Sequence, residues 1–234
     1  SSTILQGDTE MNEIIYKRRS VRKFENSELD SDTLKKIQDI IDKAKPLFPD
    51  ASYSVEIVKS KWPIPYFLAF CGENLENIGF IGQQISLALS AIGIGSYWKM
   101  GKPQGEIKSK YPFVISMPFG KPAEPLFRAK NEFVRKSLEE ISEGNDHRLE
   151  AARLAPSGLN AQDWYFIAES GNIHCFRKKP NILMAPIKNK LNRIDIGIAI
   201  CHIAEESEDF KFVQLSTPPT KAGYIYVGTV TKAN

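Results

Sequence analysis

The sequence of 234 residues predicts an α+β fold built from two similar halves. Short apolar runs bounded by turn residues indicate buried strands, and longer apolar segments indicate helices. The order helix, strand, strand, long helix, strand occurs once in each half of the chain. We therefore expect a central mixed or antiparallel sheet flanked by helices, with two pseudo-symmetric halves packed as an intramolecular dimer.

The first half supplies the first set of these elements. Residues 12–24 begin as a short helix and run into a dense basic turn, and Asp32 and Thr33 can cap a second helix, which ends at Pro46. The remaining elements of this half are strands over 53–58, 64–71 and 113–117, with a long apolar helix over 77–95 between the last two.

The second half repeats the order with a helix over 147–154, strands over 164–168, 173–176 and 223–230, and a helix over 193–206. Superposing the two long helices matches Asn77-Ile78-Gly79 with Asp195-Ile196-Gly197 and places Ile85 on Ile203. The predicted organisation is a leader over 1–10 that is flexible or left from expression, a first half over 11–140 and a second half over 141–234, the two halves forming one unit.

The composition excludes several classes of protein. Hydrophobic residues make up 42% and charged residues 25%, as in ordinary soluble globular proteins and unlike disordered chains. The apolar stretches are interrupted well before the ~18 residues that span a bilayer, so no membrane segment is predicted. Three scattered cysteines predict neither a disulfide framework nor a metal site, and they favour a reducing, cytoplasmic location.

The densest charge lies in residues 17–23, where five cations and a serine hydroxyl occupy seven positions. Guanidinium groups offer paired donors that match phosphate oxygens, so the run could hold a phosphate monoester. A solvated basic face and a nucleic-acid patch are the alternatives. Because no nucleic-acid-binding motif accompanies the run, we expect no nucleic-acid partner.

Two further segments could approach a ligand. Residues 155–164 link a helix end to a strand, and Ser157, Asn160 and Gln162 present hydrogen-bonding groups from this loop. Residues 93–101 follow the first long helix with glycines and aromatic residues, whose backbone could lie close to a ligand. A capped turn and ordinary core packing explain the two segments about as well.

Together these segments resemble the FMN-dependent nitroreductase family. Residues 18–24, Arg-Arg-Ser-Val-Arg-Lys-Phe, are similar to its R-R-S-x-R-x-F motif, and residues 155–164 to its A-P-S-x-x-N-x-Q-P-W loop. The long helix ending at residues 93–95 is similar to the family's central dimer helix, and residues 135–140 to its basic segment near the end of the sequence. The resemblance implies a nitroreductase-like fold.

The order of the motifs departs from that of an ordinary member. In the family the A-P-S-x-x-N loop follows soon after the arginine motif, whereas here residues 46–51 contain no Ser, Asn or Gln and the loop occurs only in the second half. Family members are dimers whose FMN contacts the arginine motif of one subunit and the loop of the other. The resemblance therefore implies a tandem protein with one complete flavin site, acting as a monomeric pseudo-dimer, with higher oligomers left open.

The resemblance also assigns roles to individual residues. Arg18, Ser20 and Arg19 are expected on the FMN phosphate, with Arg135 as a further contact. Arg22 is expected toward the pyrimidine edge, where a cation stabilises negative charge on the reduced flavin. The residues expected beside the isoalloxazine ring are Pro156, Ser157 and Asn160 from the loop and Trp98, Met100 and Gly101 near N5 and O4.

The implied chemistry is a ping-pong transfer in which NAD(P)H delivers hydride to flavin N5 and a small-molecule acceptor, nitroaromatic or quinone-like, takes the electrons. It requires no catalytic acid or base from the protein, and His147, His174 and His202 are isolated in the sequence. His202 on an apolar helix is expected to be a packed core residue. The alternatives are a flavin-binding protein without efficient turnover and, ranked last, a nucleic-acid binder.

Overall fold

The computed structural model describes residues 11–61 and 63–232. The predicted leader over 1–10 lies outside the described residues. The first half contains α1 (Met11–Ile15), α2 (Ser31–Lys43), β1 (Tyr53–Lys59), β2 (Tyr66–Gly72), α3 (Leu75–Ala91), β3 (Gly95–Ser96) and β4 (Phe113–Gly120). The second half contains α4 (Leu138–Ile141), β5 (Ser142–Glu143), α5 (Arg148–Arg153), β6 (Trp164–Glu169), β7 (Asn172–Lys178), α6 (Ala185–Glu205), β8 (Phe212–Val213) and β9 (Tyr224–Val230).

The strands form two sheets, and the expectation of one central sheet was wrong in this respect. The first sheet has the antiparallel order β1-β2-β4-β3, and the second has the order β5-β6-β7-β9-β8, in which only β5 and β6 run parallel. The long helix α3 packs on β2 and the long helix α6 packs on β7. Because α3 and the second half of α6 are buried on nearly all sides, they fill the space between the sheets and keep the sheets apart.

The two sheets share a local irregularity. The pairing of β2 with β4 shifts register between Phe70 and Cys71, and the pairing of β7 with β9 shifts between Cys175 and Phe176. A β-bulge places one extra residue in a strand and increases its twist. Bulges in corresponding strands of the two sheets agree with the repeat of element order read from the sequence.

The helices α3 and α6 cross where the sequence alignment matched two glycines. A Cβ atom on Gly79 would overlap the carbonyl oxygen of Ile194, and a Cβ atom on Gly197 would overlap the carbonyl oxygen of Glu76. Each contact is the counterpart of the other, as at a two-fold interface between identical subunits. Only glycine permits this close approach of the two backbones.

Two predicted helix starts required correction. The cap of α2 is Asp30, whose carboxylate accepts the N–H of Thr33 at 2.8 Å, and not Asp32. Helix α6 begins at Ala185 and not at Arg193, because Pro186 lies in the first turn, where a missing N–H costs no hydrogen bond. The predicted division between residues 140 and 141 falls inside α4, which packs on α5, β5 and β6.

Within the described residues, no helix combines the length and apolar character that crossing a bilayer demands.

Candidate functional site

Arg18 is the central residue of the candidate site. It follows α1, where its backbone N–H donates to Ile14 at 2.8 Å, and it forms an antiparallel bridge with Phe127. Its side chain is buried, with 1% of the residue exposed. Nη2 donates to Ser20 Oγ at 3.4 Å, while Nε and Nη1 have no partner among the described residues. A buried cation with unused donors is costly unless an anion pairs with it.

Three more arginines surround Arg18. Burial, followed by the charges of Arg128, Arg135 and Arg22, lowers the pKa of Arg18 to about 9. The guanidinium Nε of Arg128 donates to the carbonyl oxygen of Arg18 at 3.1 Å. We call these four arginines together with Ser20 the arginine cluster. Because like charges are gathered in a partly desolvated place, the cluster favours an anionic ligand.

Glu124 contacts the predicted arginine motif over residues 18–24 and pairs with Arg19. Its carboxylate accepts the backbone N–H groups of Arg22 and Lys23, and Arg19 Nη2 lies 3.7 Å from it. These N–H groups, the Arg22 one above all, lower the pKa of Glu124. Arg19 is therefore paired with a protein carboxylate, while the guanidinium of Arg22 lies over the ring of Tyr97 at 5.4 Å.

Helix α6 holds the loop over residues 155–164 through Asp195. Both carboxylate oxygens of Asp195 accept the backbone N–H of Gly158, each at 3.0 Å. Burial raises the pKa of Asp195 to about 7. Leu159, Asn160 and Gln162 all have positive φ, at 56°, 55° and 49°. Such backbone is rare outside glycine, and clusters of it occur where a ligand site constrains a loop.

Arg135 links this loop to the arginine cluster. Its Nη1 donates to Asn160 Oδ1 at 2.9 Å and its Nε donates to the carbonyl oxygen of Ala155 at 3.1 Å. The amide Nδ2 of Asn160 in turn donates to the carbonyl oxygen of Val134 at 3.0 Å. The oxygen and the nitrogen of the Asn160 amide are thus both hydrogen-bonded within the protein. The Arg135 guanidinium, which was predicted to contact phosphate, is hydrogen-bonded within the protein as well.

The other predicted residues of the loop have structural partners. Pro156 is buried, and Ser157 Oγ accepts the backbone N–H of Gln162 at 2.9 Å. The Gln162 side chain accepts the N–H of Lys136 at 2.6 Å. Gln162 lay outside the set of expected ligand contacts, and the structure gives it the role of fixing the loop to the segment before α4.

The third predicted segment joins the site through the core. Trp98 Nε1 donates to Gln83 Oε1 at 3.2 Å, and the Gln83 amide donates to His202 Nε2 at 2.8 Å. Met100 is exposed, and Gly101 has a φ of 97°. Among the described residues, neither Met100 nor Gly101 has a hydrogen bond to the arginine cluster.

His202 is a buried core residue, as predicted. Its Nδ1–H donates to the carbonyl oxygen of Ala151 at 2.8 Å, which fixes the tautomer. Burial, with smaller contributions from the charges of Arg18 and Arg135, lowers the pKa of His202 to about 3. A neutral histidine therefore lies between the Trp98 segment and the arginine cluster. No group of three metal-binding side chains occurs within the part of the chain that the structure describes.

Sequence reasoning missed Arg128. It is a single cation in an irregular stretch, and only the pairing of residues 127–128 with residues 17–18 brings it to the cluster. In the structure the neighbouring Phe127 supports this pairing, because Lys17 Nζ lies 5.0 Å from the centroid of its ring.

The family model described as "Putative TM nitroreductase" matches residues 10–207. The chain belongs to this nitroreductase family. The nitroreductase-like fold is thereby confirmed, and the family places the chain among the oxidoreductases.

One solved structure agrees with this fold over nearly the whole chain, and two others are similar over part of it. A "putative nitroreductase" from Thermotoga maritima is similar over 98% of this chain and 96% of its own, at 21% identity and a TM-score of 0.67. An FMN-dependent nitroreductase from Clostridium difficile covers 57% of this chain and 98% of its own, at 16% identity and a TM-score of 0.45. A nitroreductase with bound FMN from Desulfitobacterium hafniense covers 56% and 100%, at 16% identity and a TM-score of 0.43. No curated protein matches the chain.

Proposed function

We propose that the chain is an FMN-dependent oxidoreductase that passes two electrons from NAD(P)H to a nitroaromatic or quinone-like acceptor. The observation that carries this proposal is Arg18, a buried guanidinium with two unused nitrogens inside a group of arginines. A phosphate monoester supplies the negative charge and the acceptor oxygens that this guanidinium lacks. Membership in the nitroreductase family supports FMN as the source of that phosphate.

The residues fit a flavin in the following way. Arg18, Ser20 and Arg128 would hold the phosphate, and Arg22 would face the pyrimidine edge. Pro156, Ser157 and Asn160 of the loop, with Trp98, Met100 and Gly101, would surround the ring system. Arg135 would act chiefly by holding Asn160, because its donors are already used within the protein.

We further propose that this single site is built from two halves of a duplicated chain. The arginine motif comes from the first half and the loop held by Asp195 from the second. The reciprocal glycine contacts of α3 and α6 and the matching β-bulges support this arrangement. The chain would then act as a monomeric pseudo-dimer, and its cytoplasmic location stays a prediction.

Bound FMN would supply the two-electron chemistry between NAD(P)H and the acceptor. The protein's own part would be to bind, orient and exclude water. The cation of Arg22 would stabilise negative charge at the pyrimidine edge, and the strained loop would fix the position of the second half against the ring. The buried His202 stays neutral and would take no proton in this scheme.

The direct test is the visible absorption of the purified protein. We expect the absorption of oxidised flavin, lost under anaerobic conditions on addition of NADH or NADPH and restored by a quinone. A yellow protein that neither nucleotide bleaches would be a flavin binder without turnover. A colourless protein that takes up no added FMN would refute both.

Variants test the residues. Arg18→Gln should weaken FMN binding at least tenfold, about 1.4 kcal/mol, because it removes the buried cation. Lys23→Gln removes one charge from the same basic run at an exposed side chain and serves as the matched control, with a change of less than threefold expected. Asn160→Ala, in the other half, should also release FMN. Retention of FMN by both Arg18→Gln and Asn160→Ala would refute the split site.

A further inference from the structure

A cavity lies between the two halves at the beginning of α3, separate from the arginine cluster. It encloses about 240 Å³, and Phe48, Glu76 and Gln214 line it together with Arg177, Arg193 and Tyr226. None of these residues belongs to the arginine cluster or to the loop over 155–164. Pockets for drug-sized ligands measure roughly 300 to 1,000 Å³, so this cavity suits a ligand about the size of one ring.

The charges in this cavity do not balance. The carboxylate of Glu76 accepts from Arg193 Nε at 2.8 Å and from Arg193 Nη2 at 2.7 Å, and Arg177 Nε lies 3.7 Å away. Glu76 is the only carboxylate in the described lining, so two guanidinium groups share one negative charge. Arg193 Nη1 and Arg177 Nη2 have no hydrogen-bond partner among the described residues. A half-buried excess cation with unused donors is stabilised by an added anion.

The side walls of the cavity favour a ligand whose anionic group is attached to an apolar ring. Phe48 and Tyr226 supply aromatic rings, and the ring of Phe48 is held edge-on by Phe212 at 5.7 Å. Planar rings pack well against aromatic side chains. A carboxylate attached to a single ring therefore satisfies the charge, the unused donors and the walls together.

The position of the cavity also corresponds to that of the candidate flavin site. Phe48 belongs to the loop that Asn77 holds, as the loop over 155–164 is held by Asp195. Gln214 follows the pairing of Val213 with Thr229, as Met100 follows the pairing of Lys99 with Ser116. This correspondence rests on the proposed arrangement of two halves, whereas the charge and the walls of the cavity do not.

We propose that this cavity is a binding site for a small aromatic carboxylate, in which Arg177 and Arg193 contact the carboxylate and Phe48 and Tyr226 contact the ring. It would be a second ligand site, placed where a symmetric dimer would carry its other flavin.

The test is calorimetric titration of the purified protein with sodium benzoate, and with benzamide as the uncharged compound of the same shape. We expect saturable binding of one benzoate per chain and binding of benzamide at least tenfold weaker. Arg177→Gln should weaken benzoate binding at least tenfold. It should leave FMN binding unchanged and the Glu76–Arg193 pair intact.

A second variant keeps the test decisive if Arg177→Gln fails to fold. Gln214→Glu places a negative charge at the cavity edge, at the cost of the amide hydrogen bond to the Val227 carbonyl, and leaves Glu76, Arg177 and Arg193 themselves unchanged, so it should also weaken benzoate binding at least tenfold. Gln104→Glu makes the same change on an exposed loop outside the cavity and should have no effect.

Three results would overturn the proposal: no saturable benzoate binding, equal binding of benzamide, or full binding by both Arg177→Gln and Gln214→Glu. Benzoate binding that Arg18→Gln removes and Arg177→Gln retains would place the ligand in the arginine cluster and overturn it as well. A protein that binds benzoate but takes up no FMN would refute the flavin proposal alone.

Discussion

Asn77 of α3 and Asp195 of α6 stand at matching positions, and each accepts backbone N–H groups from a loop of its own half. Asn77 Oδ1 accepts from Leu47 at 2.8 Å and from Phe48 at 3.2 Å, while Asp195 accepts from Gly158 with both oxygens. The neutral amide of Asn77 holds the loop over 46–51, and the ionisable carboxyl of Asp195 holds the loop over 155–164, which resembles the family's A-P-S-x-x-N loop. Asparagine thus holds a loop at the matching position of this chain, and Asp195→Asn is the corresponding neutral variant.

Asp195→Asn should change how stability depends on pH. The pKa of Asp195 is about 7 in the folded protein, against about 3.9 unfolded, so its stabilising contribution is full below about pH 4 and falls as the pH rises to 7. Asparagine does not ionise. Urea unfolding between about pH 5 and pH 8 should show the variant gaining about 2–4 kcal/mol relative to the parent protein. A difference that does not vary with pH would contradict this.

His202→Gln should show the opposite slope. The matching position in α3 is Gln84, which bonds to the backbone of Lys45 as His202 bonds to Ala151. Burial keeps the pKa of His202 near 3, against about 6.5 unfolded, so its contribution is full above pH 6.5 and falls as the pH decreases. Between about pH 7 and pH 4 the variant should gain about 3 kcal/mol relative to the parent in urea unfolding. Parallel pH curves for the two proteins would show that folding does not lower the pKa of His202.

Gly79→Ala should destabilise the protein strongly, because the new methyl group overlaps the carbonyl oxygen of Ile194 and α3 and α6 must separate. We expect a loss of about 3 kcal/mol or more, measured by urea unfolding. Gly120→Ala is the matched control. The nearest atoms to its methyl group would belong to the Phe24 side chain, at 3.3 Å or more, and the expected change is about 1 kcal/mol or less. Similar losses in the two variants would argue against a close helix crossing.

Glu76→Gln should weaken the connection between the halves. The substitution leaves Arg193 and Arg177 without their carboxylate in a largely buried place, so a loss of about 2–4 kcal/mol is expected in thermal or urea unfolding. Glu28→Gln removes the partner of Lys59 from an exposed pair, which has a similar distance of 2.7 Å, and should cost less than about 1 kcal/mol. Equal effects would show that burial does not strengthen the Glu76 pair.

The sequence predicted the long elements well, because their apolar patterns extend over several turns or a full strand. It missed β3, β5 and β8, which have two residues each and depend on pairing with distant strands. The beginning of α6 was missed because the exposed apolar residues before it, such as Ile182 and Leu183, give no amphipathic pattern. Pro186 in the first turn was a usable start signal, because proline is favoured at the first position of a helix.

The residues of the candidate site were likewise predictable only in part. Arg18 and Ser20 could be selected because the basic run is dense within the sequence, and Asn160 because its loop is unusual. Arg128 and Glu124 could not, because each reaches the site through contacts with residues more than a hundred positions away. The sequence also could not show that Arg135 and Asn160 bond to each other.

The burial of α3 has a consequence for the order of events during synthesis. The face that α3 presents to α6 stays uncovered until α6 has been translated, and the two helices are separated by residues 92–184. At the usual 5–20 residues per second, this interval lasts about 5 to 20 seconds. During that time a nearly all-apolar helix is available to chaperones, and to other nascent chains of the same kind. The first half is therefore present in the cell as an incomplete folding unit until the second half has been synthesised.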